Sequence, residues 1–394
     1  MTRSEEFVYE LSKSAFLPLW TYPSPLGKDK GKELCDVLIV CEPDIIVTSV
    51  KEIELKTDGD RKLQEERWLR RAVEESVDQI GGAERRLQAI DSVMATDGKL
   101  GVGLGPPASR RIHRVAVAIG SYGNVPLESR DFGKGFVHVF DGRDFFLLIN
   151  ELDTITDLLE YLRAREALLR TPSVEFTGTE ADLVATYLRN NRSIASLQGG
   201  PKHISGLWQS FVESPEYQAK GKADASSYVW DWLITKFHDD FAAGNMEFGN
   251  DITTVDRMTR VMAKETRFFR RMLGNAFRDF MDDKEIDSRT LTSPSGVAYV
   301  FLKQPHSEDR EYRKAELVAR CYVVRDKMTL ANPVIGIATE KREEGSGFSL
   351  DGVLLEVTTW TPEMHAYAAE AREKFGFFKA PRRTHRHEDE YPIG

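Results

Sequence analysis

Residues 33–56 hold the densest chemical pattern in the chain. Asp36 enters one short apolar run, residues 37–40, and Lys51 leaves the region of a second, residues 45–47. A four-residue break containing Pro43 separates the runs, and β-branched side chains dominate both, so the stretch reads as a hairpin in a sheet. Strands paired through so short a turn bring the Asp36 carboxylate and the Lys51 ammonium to one end of the sheet. Together they suit a divalent cation and a developing oxyanion. An ordinary hairpin with a surface Asp and Lys is the competing reading.

A second polar group stands on the clearest helical stretch, residues 60–91. Trp68, Ala72, Ser76, Gln79, Ala83 and Leu87 recur at three- and four-residue intervals and share one face. Ser76 and Gln79 are its polar members, and buried polar groups need partners. An active-site water, a substrate phosphate or a nearby backbone group would each serve. Gly81-Gly82 interrupts this helix without ending it.

The elements that must position these groups follow the same periodicities. A first helix is expected over 5–17, then a proline-rich rigid loop over 17–32 with Trp20 and Tyr22, and Lys28, Lys30 and Lys32 at its end. Its basic and aromatic residues suit phosphates and bases, or the aromatics simply pack on the core. Residues 97–108 read as a loop, 112–119, 136–140 and 145–148 as strands, and 151–170 as a helix capped by Thr154. A helix at 180–189 precedes Gly199-Gly200-Pro201, a candidate boundary. Helices are expected at 228–241 and 254–279, the latter rich in Arg257, Arg260, Arg267, Arg270, Arg271 and Arg278. With Asp256, Glu265, Asp279, Asp282 and Asp283 around it, it reads as a solvated helix laced with charge pairs. Strands at 297–302, 334–339 and 350–356 alternate with helices at 307–328 and 362–375, a small α/β or α+β module of about 290–380. Residues 381–394 are expected to be a charged, mobile tail carrying His385 and His387.

The chain of 394 residues implies at least two domains. They are placed at 1–170 and 201–380, with 171–200 as a connection. Hydrophobic residues make up 41% and charged residues 30%, and no apolar stretch approaches bilayer length, so a soluble, non-membrane protein is expected. Cys35, Cys41 and Cys321 form no ligand cluster, which fits a reduced cytoplasmic setting and argues against zinc. The net charge of −9 excludes a basic surface overall but not a local nucleic-acid groove. No phosphate loop, dinucleotide fingerprint, nucleophile elbow or HExxH is present. Asp231 and His238 share a helix face, explained equally by surface charge, and Cys321 reads as a buried apolar residue.

Across residues 5–90 the chain resembles the PD-(D/E)XK nuclease superfamily, in which an acid on one strand is followed by acid-x-Lys on the next. Asp36 matches the first acid and Lys51 the lysine, fifteen positions later, while Gln79 matches a glutamine found on a later helix in some branches. The string from Ser76 to Arg86 is similar to that helix in a group of bacterial relatives. The resemblance implies an α/β, restriction-endonuclease-like domain with a central mixed sheet, then a helical segment and the C-terminal module. It also implies Mg²⁺- or Mn²⁺-dependent cleavage of nucleic acid, most simply DNA, in defence or repair. Asp36 would hold the metal with Glu10 of the preceding helix, or with Glu33, while Lys51 and Gln79 would assist the chemistry. One departure stands out: Ser49 occupies the acid position of acid-x-Lys. A hydroxyl is a far poorer Mg²⁺ ligand than a carboxylate, so Ser49 would hydrogen-bond a metal-bound water, with Glu54 or Glu75 as substitute acids. A catalytically silent nuclease fold that binds nucleic acid or acts as a scaffold is the first alternative. An unrelated hydrolase with its site in 200–394 is the second. A second copy of the chain or a partner protein is compatible with either.

Overall fold

The computed structural model describes residues 1–27, 32–171, 176–197, 202–246, 252–305, 309–341, 349–378 and 388–392. Lys28, Lys30, the Gly199-Gly200-Pro201 break, His385 and His387 lie outside them. The described chain divides into two compact units, Met1–Gln218 and Ala219–Gly394. The stretch 171–200 falls inside the first. The architecture is a mixed-sheet N-terminal region, a helical stretch and a smaller mixed sheet with helices.

The first unit begins with α1 (Arg3–Phe16), which Thr2 opens through a capping box with Glu5. A hairpin follows a short strand: β1 (Thr21–Pro23), β2 (Val37–Cys41) and β3 (Asp44–Glu52). The expected pairing is found, with Val37 opposite Thr48 and Cys41 opposite Asp44. Trp20 and Tyr22 are buried, so the proline-rich loop packs on the core. The long helical stretch is α2 (Arg61–Leu69) and α3 (Glu75–Leu87), joined by one wide π turn at Arg70–Glu74. After β4 (Ser92–Met94) and β5 (Leu100–Gly103) comes β6 (Arg111–Ile119), which lies parallel to β3. Then β7 (Arg130–Asp131) and β8 (Phe136–Phe140) complete a six-stranded sheet of order β1-β2-β3-β6-β8-β7.

Every residue of β2 and β8 is buried, as continuous β-branched and aromatic runs predict for strands covered on both faces. Along β3, Ser49 meets α3 while Glu52 meets Ser4 of α1, so the two helices cover opposite faces. Residues 145–148, expected as a strand, belong instead to α4 (Gly142–Glu151). Asp141 caps it by accepting the Asp144 N–H at 2.7 Å, and Phe145, Leu148 and Ile149 are buried at helical spacing. The unit closes with α5 (Ile155–Leu169), capped by Thr154, β9 (Phe176–Thr177), α6 (Glu180–Arg189), β10 (Lys202–His203) and α7 (Leu207–Val212). The division between units falls within α8 (Pro215–Asp224).

In the second unit the helix expected over 254–279 is two: α10 (Ile252–Ala263) and α11 (Arg267–Asp282), broken where Thr266 caps the second. They follow α9 (Tyr228–Ala242). The arginines are not solvated, because Arg267, Arg270 and Arg271 are buried. Asp231 accepts Arg267 at 2.7 Å and Arg270 at 2.5 Å. The sheet runs β11 (Ser288–Thr292), β12 (Ala298–Gln304), β13 (Val334–Glu340) and β14 (Leu350–Leu355), with β12 and β13 parallel. The crossover helix α12 (Arg310–Lys327) and α13 (Pro362–Phe375) pack together beside it. Their core includes Leu317, Cys321, Val324, Ala368 and Ala371. Cys321 is buried, and burial pushes its thiol up to about 12, so it is an inert core residue.

Candidate functional site

Asp36 precedes β2, one position beyond the pairing of Val37 with Thr48, which sets it against Ser49 and Val50 of β3. Only 4% of its surface is exposed. The Val50 N–H donates to Oδ2 at 2.5 Å and the Gln79 amide donates to Oδ1 at 2.8 Å. Ser49 Oγ in turn donates to Gln79 Oε1 at 3.0 Å. Three of the residues singled out in the sequence are therefore one chain of hydrogen bonds, Ser49 to Gln79 to Asp36. The fourth, Lys51, is half-buried on the same strand face as Ser49, and its charge acts on Asp36.

The electrostatics follow from that geometry. Burial raises the Asp36 carboxyl above its ordinary range, and the Glu5 charge adds to the rise. The Val50 N–H, the Gln79 amide and the Lys51 ammonium pull it back part of the way. Both Asp36 oxygens keep a lone pair beyond the bonds they accept, because a carboxylate offers about four acceptor positions.

The two carboxylates assigned as companions of Asp36 do not join it. Glu10 is 53% exposed and pairs with Lys13 at 2.6 Å. It lies five residues past Glu5, which is about 140° around the helix. Ser4, Val8, Ser12 and Ala15 form the buried face of α1, and Glu5 borders that face. Phase read from those residues points to Glu5 as the acid nearest Asp36. Glu33 is exposed, and its backbone carbonyl accepts Arg86 at 2.7 Å. Of the substitutes for the missing acid, Glu54 accepts the Tyr122 hydroxyl at 2.7 Å, and Glu75 is exposed on α3.

Among the described residues, no group of three or more His, Cys, Asp and Glu is arranged to hold a metal. Mg²⁺ demands less than that, because it retains several waters and is commonly held by one or two carboxylates plus substrate phosphate. The acid whose charge acts on Asp36 is Glu5, whose carboxylate also accepts the Thr2 N–H at 2.6 Å.

A separate polar cluster, not foreseen from the sequence, lies on β8, α4, α5 and α6. Arg165 makes a bidentate pair with Glu180, Nε to Oε1 at 2.8 Å and Nη2 to Oε2 at 2.8 Å, and Tyr161 donates to Glu180 at 2.5 Å. Burial, with Asp141 and Glu180 nearby, pushes Asp144 up to about 7. At the far end of β3, Asp44 accepts His113 at 2.8 Å, Arg111 at 2.9 Å and Arg163 at 2.5 Å. Burial raises its pKa, but those partners outweigh burial and leave it lowered. Elsewhere, Asp231 is taken by Arg267 and Arg270, and His238 approaches Asp239 at 3.4 Å, so the Asp231–His238 pair is not a site.

No protein-family model, curated protein or solved structure matches this chain. The functional reading therefore rests on the residues themselves. No helix among the described residues is long and apolar enough to cross a membrane.

Proposed function

We propose that the first unit is a metal-dependent nuclease that hydrolyses phosphodiester bonds of DNA, with its site at the end of β2 and β3. The observation that carries this reading is the convergence of Asp36, Ser49, Lys51 and Gln79, drawn from two strands and a helix, at that end. The order of an acid at one strand, a lysine on the next and a glutamine on the following helix is the one the PD-(D/E)XK resemblance implies. The restriction-endonuclease-like fold is part of the same proposal.

Asp36, with Glu5, would hold Mg²⁺ or Mn²⁺, which supplies an activated water and charge neutralisation at the attacked phosphate. Gln79 fixes the carboxylate by donating to Oδ1, and the Val50 N–H fixes the other oxygen. Ser49 locks the amide of Gln79 in the orientation that donates to Asp36, since its hydroxyl donates to the amide oxygen. Lys51 places a positive point charge beside the carboxylate, where it would meet the phosphate oxyanion.

The test is cleavage of single- and double-stranded DNA with Mg²⁺ or Mn²⁺ by wild type, Asp36→Asn and Lys51→Ala. Metal-dependent cleavage lost in both variants supports the proposal, and a folded wild type inactive on both substrates with both metals counts against it. A second reading, a nuclease fold that binds nucleic acid without cutting it, is favoured by one observation: both Asp36 oxygens already accept hydrogen bonds while Ser49 stands in the acid position. Binding of uncleaved DNA that weakens in Lys51→Ala distinguishes it.

A further inference from the structure

The second unit contains an open cleft of about 690 Å³, lined by Lys222, Ser226, Arg271, Asn275 and Arg278, with Glu388 and Asp389 also in its wall. Arg271 lies on α11 and is only 1% exposed. Its guanidinium donates to the backbone carbonyls of Asp389 at 2.6 Å and Glu390 at 3.2 Å, and to Asp224 Oδ1 at 3.1 Å. Its buried Nε has no hydrogen-bond partner, with the Glu388 carboxylate 3.8 Å away. A guanidinium fork matches the paired oxygens of a carboxylate or phosphate. Here its outer nitrogens hold the carbonyls of Asp389 and Glu390 and the Asp224 carboxylate, and the buried Nε–H makes no hydrogen bond.

The cleft carries charges of both signs: Lys222, Arg271 and Arg278 line it beside Glu388 and Asp389, and Asp224 pairs with Lys220 and Arg271. Lys222 and Arg278 are exposed at the cleft, where a ligand would reach them without disturbing the core. The acidic residues Glu388 and Asp389 supply the countercharge.

We propose that this cleft is a phosphate-binding site, covered in this structure by the chain's own segment 388–392. Phosphate oxygens would replace the carbonyls of Asp389 and Glu390 on Arg271 and engage the free Nε, while Lys222 and Arg278 would meet the remaining negative charge. The inference does not depend on the Asp36 site. The same chemistry is offered by a free phosphate compound and by a nucleic-acid backbone.

The experiment titrates the full-length chain with inorganic pyrophosphate by calorimetry, and with a fluorescein-labelled single-stranded oligonucleotide by anisotropy. Arg278→Glu and Lys222→Glu, both surface changes, are each expected to weaken pyrophosphate binding about tenfold, as loss of a charge-assisted contact implies. Neutralising the covering segment with Glu388→Gln and Asp389→Asn is expected to strengthen it several-fold. Asp36→Asn is expected to leave it unchanged, so failure of the nuclease reading is seen separately. If oligonucleotide binding falls in step with pyrophosphate binding in Arg278→Glu, the phosphate belongs to a nucleic acid. If pyrophosphate alone responds, it belongs to a free phosphate compound. No pyrophosphate binding by either wild type or the neutralised variant overturns the proposal, as does binding unaltered by Arg278→Glu and Lys222→Glu.

Discussion

Asp36 in the first unit and Glu340 in the second are both carboxylates at strand ends, 4% and 7% exposed. Their partners differ in kind. Asp36 accepts hydrogen bonds from neutral groups, a backbone N–H and the Gln79 amide, and burial leaves its pKa raised. Burial pushes Glu340 up as well, but Ser349, through N–H and hydroxyl, and Arg313, 2.7 Å away, bring it down to about 2. Arg313 also pairs with Asp351 at 2.6 Å. A carboxylate held by a guanidinium is neutralised in place and serves the fold. Asp36 is held mainly by dipoles, with the Lys51 charge a smaller influence. The contrast separates a carboxylate compensated by a formal charge from one compensated mainly by dipoles.

Removing the guanidinium should have the largest effect on stability. Arg313→Ala leaves Glu340 buried without its cation and Asp351 with Arg310 alone, and urea unfolding should show a loss of about 3–5 kcal/mol. Asp36→Asn should abolish metal-dependent cleavage at a smaller cost in stability, about 1–3 kcal/mol, because either the Val50 N–H or the Gln79 amide then faces an amide nitrogen that cannot accept. An equally large stability loss in both variants would erase the distinction. Ser49→Ala removes only the hydroxyl that orients Gln79, and should lower stability by about 1 kcal/mol in the same assay.

Titration sharpens the comparison through its sign. Glu340 is depressed on folding, so its contribution is present above the ordinary carboxylate range and is lost as pH falls towards about 2. Asp144 is raised to about 7, so the folded state binds its proton more tightly. Stability from this group is greatest below the ordinary carboxylate pKa of about 4 and declines as pH rises to about 7. Asp144→Asn should flatten that decline in thermal unfolding between pH 5 and 8. A variant that keeps the wild-type slope would show that Asp144 is ionised throughout.

Much of this arrangement was legible from period and punctuation. The paired apolar runs around Pro43 are β2 and β3, and the helix expected from Pro362 to Phe375 has those bounds. Four residues, 145–148, were too few to separate strand from helix, and the capping pattern from Asp141 to Asp144 carried the decisive signal. Glu10, expected beside Asp36 from its place on the preceding helix, lies off the buried face of α1 that Ser4, Val8 and Ser12 define. Arg267, Arg270 and Arg271 read as solvated because of their charge. Their i, i+3, i+4 spacing, continued by Gly274, is that of a core-facing stripe. Composition hid what periodicity showed.

The wide turn at Arg70–Glu74 carries one consequence for how this chain can change. It holds an extra residue within an otherwise continuous helix. The wide turn takes up that residue without changing the phase of the flanking turns, so deleting one residue there would restore regular winding and leave α3 facing as it does. With Trp68 anchored to the Ile53 carbonyl at 2.6 Å, Gln79 would keep the face it turns to Asp36. A one-codon deletion in the regular turns of α3 before Gln79, by contrast, would turn that residue by about 100° away from Asp36.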